Sequence, residues 1–147
     1  MKHILCFFLM MATALYSAET KKQEAQEEAR EKQHHKTPAV QIERVPRIEY
    51  AGVKSAMIAW STNEPSSTKV FYGTDKNNLS KTAEAKWGGK THRVDIKGLQ
   101  PNTTYYFRVD SGQAKGTGTN AESGIYSFHT AVNAAQATHE QPATRVQ

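Results

Sequence analysis

Apolar side chains recur at every second position over short runs of this chain, and polar turn-forming residues separate the runs. In the clearest run, alternate positions carry Leu99, Pro101, Thr103, Tyr105, Phe107 and Val109. Alternation with a period of two is typical of a β-strand that buries one face. The β-branched and aromatic residues also suit a pleated, half-buried surface. The pattern therefore predicts a strand from Thr103 to Val109 with one face in a core.

Similar patterns predict further short strands on both sides of this run. They span Val40–Tyr50, Lys54–Thr62, Thr68–Gly73, Leu79–Ala83, Thr91–Lys97 and Gly124–Thr130. The expected core contacts are Ile42, Val45, Ile48, Ala56, Ile58, Trp60, Val70, Tyr72, Ile125 and Phe128. Pro46 limits the first strand to an edge or a bulge, because proline has no N–H for the ladder. About seven short strands joined by turns predict an all-β, immunoglobulin-like sandwich of antiparallel strands.

The residues before the clearest run predict a corner. Pro101 fixes its own φ and Asn102 favours a turn. A tyrosine just after such a corner can bury its ring and bond its hydroxyl to backbone a few residues upstream. Tyr105 is therefore predicted to be a corner tyrosine, with Leu99 beneath it in the core.

The alternating run resembles the corresponding strand and corner of a fibronectin type III domain. Companion segments support the resemblance, namely Ile58-Ala59-Trp60, Val70-Phe71-Tyr72-Gly73 and His92-Arg93-Val94-Asp95-Ile96. The run from Trp60 to Val109 looks closer still to the fibronectin-like N-terminal domain of purple acid phosphatases. The resemblance covers roughly residues 40–130. It implies a sandwich without catalysis of its own, since that family's metal ligands belong to a separate domain. It also implies that His92 belongs to the sandwich.

The flanking segments have a different composition. Residues 1–18 combine Lys2, an apolar stretch from Ile4 to Met11 and small residues, as a secretory signal peptide does. A membrane anchor or a buried helix is the alternative, but the apolar stretch is short for a bilayer. Residues 19–39 are rich in balanced charges and predict a frayed helix or a disordered linker. Residues 131–147 offer little to bury and predict a disordered tail.

The chemistry-bearing residues are sparse. Cys6 is the only cysteine and lies in the expected leader, so no disulfide or thiol site is predicted for the mature chain. His34-His35 fits a solvated linker pair, and His92 and His129 fall on different predicted strands, so no metal site or cofactor is expected. The sequence has no nucleophile motif and no paired carboxylates. No catalytic residues are therefore predicted, and the chain is predicted not to be an enzyme.

The net charge is +5 at pH 7 but the lysines are scattered, so nucleic acid is not an expected partner. The loops Ser61–Thr68, Trp87–Lys90 and Ser111–Ser123 are the expected binding elements, because loops at the ends of a sandwich carry recognition in this architecture. Trp87 fits either a cap on the core or a sugar-stacking platform. No membrane span is predicted, and the domain is expected to be monomeric.

The function expected from these patterns is a secreted, non-catalytic module that binds a protein or a polysaccharide. Its compartment would be extracellular, at the cell surface or periplasmic. The alternative is a structural or accessory spacer subunit that docks through its charged N-terminal segment or its tail. A variant of that alternative makes it the partner of a separate metallophosphoesterase.

Overall fold

The computed structural model describes residues 21–28, 38–86, 88–113 and 119–147. The chain divides into two units, Met1–Thr37 and Pro38–Gln147. Within the first unit, residues 21–28 of the charged segment are helical. The predicted signal peptide, Cys6 and His34-His35 lie outside the described residues, as does Trp87. All further description concerns the second unit.

The second unit is a sandwich of two antiparallel sheets. Its strands are β1 (Ile42–Ala51), β2 (Ser55–Thr62), β3 (Thr68–Gly73), β4 (Lys81–Ala85), β5 (Thr91–Lys97), β6 (Thr104–Gly112), β7 (Asn120–Glu122), β8 (Tyr126–His129), β9 (Thr138–Pro142) and β10 (Thr144–Arg145). One sheet has the order β5-β2-β1-β9 and the other β10-β8-β6-β3-β4, with β7 paired to β6. This confirms the predicted all-β sandwich of the fibronectin type III kind.

The core lies between the sheets and is built from the inward faces of the alternating strands. On β5, for example, alternate residues are buried, and on β6 the burial alternates in the same way. The buried cluster comprises Ile48, Ala51, Ala56, Ile58, Trp60, Val70, Tyr72, Val94, Ile96, Leu99, Tyr105, Phe107, Val109, Tyr126 and Phe128. Tyr105 and Phe128 stack at 5.7 Å between ring centroids, which fits the offset geometry that aromatic rings prefer.

The corner before β6 has the predicted form. The hydroxyl oxygen of Tyr105 accepts a hydrogen bond of 2.9 Å from the backbone N–H of Gln100. Leu99 is buried beneath the corner. Asn102 has a φ of 51°, a left-handed conformation that asparagine adopts more readily than most residues. The corner thereby fixes where the chain enters the central strand of its sheet.

The first strand contains a bulge, and one of its expected core contacts needs correction. The pairing of β1 with β2 is irregular between Arg44 and Arg47. Pro46 points inward there, with its side chain under 2% exposed, whereas Val45 is 66% exposed. The prediction that Val45 faces the core is wrong because Val45 lies three residues from the buried Ile48, and alternation back from Ile48 turns Pro46 inward and Val45 outward. The prediction that Pro46 lies at an edge or a bulge is confirmed, because it lies within the bulge between Arg44 and Arg47.

The last predicted strand also needs a correction. Tyr126 and Phe128 are buried, and Ile125 lies before β8 and is only partly buried. Two residues three apart cannot both face inward on a strand with a period of two. The core position predicted for Ile125 is therefore occupied by Tyr126.

The prediction that residues 131–147 form a disordered tail is wrong. This segment contains a short 3-10 helix, Ala134–Gln136, followed by β9 and β10. β9 pairs with β1 from Arg47 to Ala51, and β10 pairs with β8 at Tyr126 and Ser127. A sheet edge offers free backbone N–H and C=O groups, so a segment with few apolar side chains can still join it.

Candidate functional site

The loops predicted to bind a partner meet at one end of the sandwich, as far as their described residues show. The backbone N–H of Ser66 donates to the carbonyl of Gly89, and that of Gly88 donates to the carbonyl of Ser66, each at 3.2 Å. The N–H of Ser67 donates to the carbonyl of Gly112 at 2.7 Å. These bonds join the β2–β3, β4–β5 and β6–β7 connections. We call residues 63–67, 88–90 and 111–113 the loop end.

The start of the second unit runs over the same end. The side-chain amide of Asn63 accepts from the N–H of Gln41 at 2.7 Å and donates to the carbonyl of Ala39 at 3.0 Å. The side chain of Gln113 donates to the carbonyl of Pro38 at 2.9 Å. The polar side chains at the loop end are therefore partly held by backbone groups rather than free to rotate.

A buried polar cluster lies directly beneath the loop end. Its side chains are those of Trp60, Thr62, Ser66, Thr68, His92 and Ser111, all of which are buried. The sequence prediction placed His92 in the sandwich but did not identify this cluster. The alternation of β5 could have indicated that His92 is buried, because His92 shares the inward face with Val94 and Ile96.

The hydrogen bonds of the cluster define the tautomer of His92. The hydroxyl of Thr62 donates its proton to the carbonyl of Glu64 at 2.8 Å, so its oxygen is left to accept from His92 Nε2 at 2.8 Å. The neutral ring then carries its proton on Nε2, and Nδ1 accepts from the hydroxyl of Thr68 at 2.6 Å. His92 thus ties β5 to the residues that flank the β2–β3 loop.

Trp60 adds a second link between the cluster and the opposite sheet, which Thr68 on β3 already joins to His92. Its ring stacks on that of His92 at 5.0 Å between centroids and 21° between planes. Its Nε1–H donates to the hydroxyl oxygen of Ser111 at 2.8 Å, across the interior from β2 to β6. Among the described residues, every buried side-chain polar atom has a hydrogen-bond partner. A fully satisfied network of this kind makes the structure around it rigid.

Burial lowers the pKa of His92 below its ordinary value of 6.5. A buried ring cannot be hydrated when it is charged, so the neutral form is favoured. In the unfolded chain the ring regains the ordinary pKa, so below pH 6.5 the unfolded state binds more protons than the native state. The free energy of unfolding therefore decreases as the pH falls from 6.5 toward the lowered native pKa.

We expect urea unfolding curves recorded at about pH 7.5 and about pH 5.5 to show this loss of stability in the unmodified chain. In His92→Leu the part of the pH dependence that comes from His92 should disappear. The matched control is His129→Asn, which removes an exposed histidine from β8 and should leave the dependence in place. An identical pH dependence in His92→Leu and the unmodified chain would contradict the assignment.

The outer face of the second sheet is a mixed, charged surface. Phe71 is flanked by the ammonium group of Lys69 at 5.7 Å and the guanidinium of Arg108 at 4.5 Å. Lys69 pairs with Glu84 at 2.7 Å, and Arg108 pairs with Glu122. Charges of both signs are interspersed, so this face lacks the single-sign potential that would steer a charged partner.

A polar groove of about 220 Å³ opens at the other end of the sandwich from the loop end. Asp75, Asn78 and Lys81 line it beside the β3–β4 turn, and Tyr105 forms part of its wall. Asp75 already accepts a hydrogen bond from the N–H of Asn77 at 2.9 Å. Part of the groove's polar lining is therefore already used by hydrogen bonds within the β3–β4 turn.

The described residues contain no group of three or more histidine, cysteine or acidic side chains placed to hold a metal ion. His92 is enclosed in its hydroxyl cluster, and His129 bonds instead to Thr104 and Asn102 on the surface. The structure therefore does not bring these two histidines into one set of ligands. Among the helical residues described, none forms a helix long and apolar enough to cross a membrane.

Fold and core together define a fibronectin type III-like sandwich. A family model for the N-terminal domain of purple acid phosphatases matches residues 42–130, which is more than half of the chain. The chain belongs to this family, and the resemblance found in the sequence is thereby confirmed. The matched range ends one residue before the segment 131–147.

Solved structures with a similar fold are distant in sequence. One is the sensor domain of the anti-sigma factor RsgI4 in Pseudobacteroides cellulosolvens, with 20% identity, a TM-score of 0.45, and coverage of 69% of this chain and 80% of that one. Another is the fibronectin type III domain of human fibronectin type III domain containing protein 3, with 17% identity, a TM-score of 0.42, and coverage of 65% and 91%. The search of curated proteins finds no match.

Proposed function

We propose that this chain is an exported, non-catalytic binding module that holds a protein or a glycan at its loop end. The observation that carries the proposal is the buried cluster around His92, which holds the connections of three strand pairs in one arrangement. Recognition by preformed loops avoids the entropy cost of ordering them during binding. Export is supported by the leader-like pattern of residues 1–18.

The exposed groups of the loop end suit a polar contact. Pro65 and Lys90 are exposed, and Glu64 is partly exposed. An exposed ammonium group and a partly exposed carboxylate on these connections can each form charge-assisted hydrogen bonds with a partner surface or with sugar hydroxyls. The fold supplies the second support, because sandwich modules place recognition in their end loops.

A charge reversal at one end of β5 tests the site. Lys90→Glu should weaken capture of the partner about 5- to 30-fold, equivalent to about 1–2 kcal/mol of binding free energy, because it reverses an exposed charge of the loop end. Lys97→Glu is the matched control, since it makes the same charge change at the opposite end of that strand. The side chain of Lys97 forms an exposed ion pair with Asp95 at 3.1 Å.

The measurement is a pull-down from native secreted and envelope fractions, followed by a binding titration with whatever is captured. Baits of residues 19–147 and residues 38–147 separate the loop end from the charged segment. A partner kept by both baits and lost with Lys90→Glu supports the proposal. A partner that needs residues 19–37, or that is unaffected by Lys90→Glu, rules out the loop end as its site.

A second candidate is an accessory subunit of a separate metallophosphoesterase. It is supported by the matched family, which is named for the N-terminal domain of a phosphatase. The described residues hold no metal-ligand cluster, so a catalytic centre would have to come from another polypeptide or from residues that are not described. Phosphatase activity that rises when this chain is added to a captured phosphoesterase would support this candidate over a purely adhesive module.

A further inference from the structure

The C-terminal segment, residues 132–147, forms an addition to the sandwich that joins both sheets. β9 extends the first sheet along β1, and β10 extends the second along β8. The β9 ladder stops at Arg47 paired with Pro142, one residue short of Pro46. Neither proline can donate to a ladder, so the segment leaves the first sheet there and crosses to the second. We call residues 132–147 the clasp.

The clasp is attached mainly through its backbone. Both of its strands are exposed apart from a partly buried Thr138, and its 3-10 helix contains no buried residue. Ala143 is its contribution to the core, and His139 adds a ring contact with Tyr50 at 5.1 Å. Apolar burial supplies most of the free energy that holds a fold together. Opening the clasp should therefore cost much less than unfolding the domain.

One local feature weakens the clasp within β9, and two others place its hinge. Glu140 has a φ of 46°, a left-handed conformation that is unfavourable for a residue other than glycine. The residue before the 3-10 helix, Asn133, makes no side-chain capping bond. In contrast, the N–H of Ala131 is held by the carbonyl of Gly52 at 3.0 Å. The hinge therefore lies between Ala131 and Thr138.

We propose that the clasp exchanges between two copies of this chain. When the clasp opens, β1 and β8 expose unpaired backbone groups that can template a strand. The strand that fits these exposed edges is the clasp of a second copy, because its register with β1 is already defined. It can form the pairs Arg47 with Pro142 and Tyr50 with His139 between the two chains. An exchange of identical elements reproduces all native contacts, so it is a low-cost way to form a dimer. This inference is independent of the loop end.

Single cysteines on opposite sides of the β1–β9 pair report the exchange. One chain carries Tyr50→Cys and the other His139→Cys, both with Cys6→Ser so that the introduced thiols are the only ones. Directly opposed residues on antiparallel strands have Cβ atoms about 4.5–5.5 Å apart, close enough for a disulfide after small adjustment. The two chains are unfolded together, refolded at high protein concentration and mildly oxidised.

The proposal predicts a disulfide-linked heterodimer in about tenfold or greater excess over a control mixture of Tyr50→Cys with Thr119→Cys, because exchange holds the first pair of thiols together. A single chain with both Tyr50→Cys and His139→Cys should close internally and then remain monomeric by light scattering. Internal closure without any excess of heterodimer in the mixture would overturn the exchange. Failure of the double variant to close would overturn the β1–β9 pairing on which the exchange depends.

Discussion

Replacing Trp60 by alanine is expected to lower the free energy of unfolding by about 3–5 kcal/mol, as for other buried large aromatic residues. The side chain is fully buried between the sheets. Its removal leaves a cavity, ends the stack on His92 and deprives the hydroxyl of Ser111 of its donor. All three losses come from one side chain, so they act together on the buried cluster around His92.

The size of this effect is large relative to the stability of a small domain, which is about 5–15 kcal/mol in total. Far-UV circular dichroism during urea unfolding measures it without relying on tryptophan fluorescence. Trp60→Phe is the matched control, because it keeps an aromatic ring in the core and loses the indole N–H; it should cost about 1–3 kcal/mol. A loss below about 1 kcal/mol in Trp60→Ala would show that the indole is not central to the core.

The central strands could be predicted because burial on one face imposes a period of two on their side chains. Tyr105, Phe107 and Val109 are all buried, as are Ala56, Ile58 and Trp60 on β2. The corner could be predicted for a related reason, since a buried tyrosine hydroxyl needs a partner and Gln100 supplies one. In both cases the side chains themselves carry the structural information.

The clasp could not be predicted because its information lies in the backbone. Its sequence has no apolar alternation, and β9 is held by main-chain pairing with the edge of β1. Every non-proline residue carries the same donor and acceptor, so such pairing leaves little trace in composition. The bulge at Pro46 is similar: the proline indicates an irregularity in β1, but the extra residue between Arg44 and Arg47 is seen only in the pairing with β2.

The sequence pointed to three loops as binding elements but not to the buried cluster beneath them, and their binding role stays a prediction. The loops were expected to carry binding, and the structure adds that their described parts are hydrogen-bonded together at one end of the sandwich. What no local pattern indicated was that Thr62, Thr68 and His92 converge from three different strands. Hydrogen bonds between residues far apart in sequence depend on strand register, which becomes known only with the fold.

Replacing His92 by leucine is the second substitution with a large expected effect, a loss of about 2–4 kcal/mol in the free energy of unfolding. About 1–3 kcal/mol comes from a buried hydroxyl left without a partner, and about 0.5–1.5 kcal/mol from the lost ring stack. The unpaired hydroxyl is that of Thr68, whose hydrogen bond is made to His92 Nδ1. The Thr62 hydroxyl keeps its bond to Glu64, so it contributes less.

A second substitution should recover part of the stability that His92→Leu loses. In His92→Leu, the further change Thr68→Val removes the unpaired hydroxyl, and replacing both partners of a buried hydrogen bond by apolar groups can be nearly neutral. The double variant should therefore be more stable than His92→Leu alone, although Thr68→Val by itself should destabilise the chain by leaving Nδ1 unpaired. A double-mutant cycle from urea unfolding gives the coupling, expected to be about 1–3 kcal/mol. If the two losses simply add, the hydrogen bond between Thr68 and His92 does not hold the β2–β3 loop. The rigidity inferred for the loop end would then need another source.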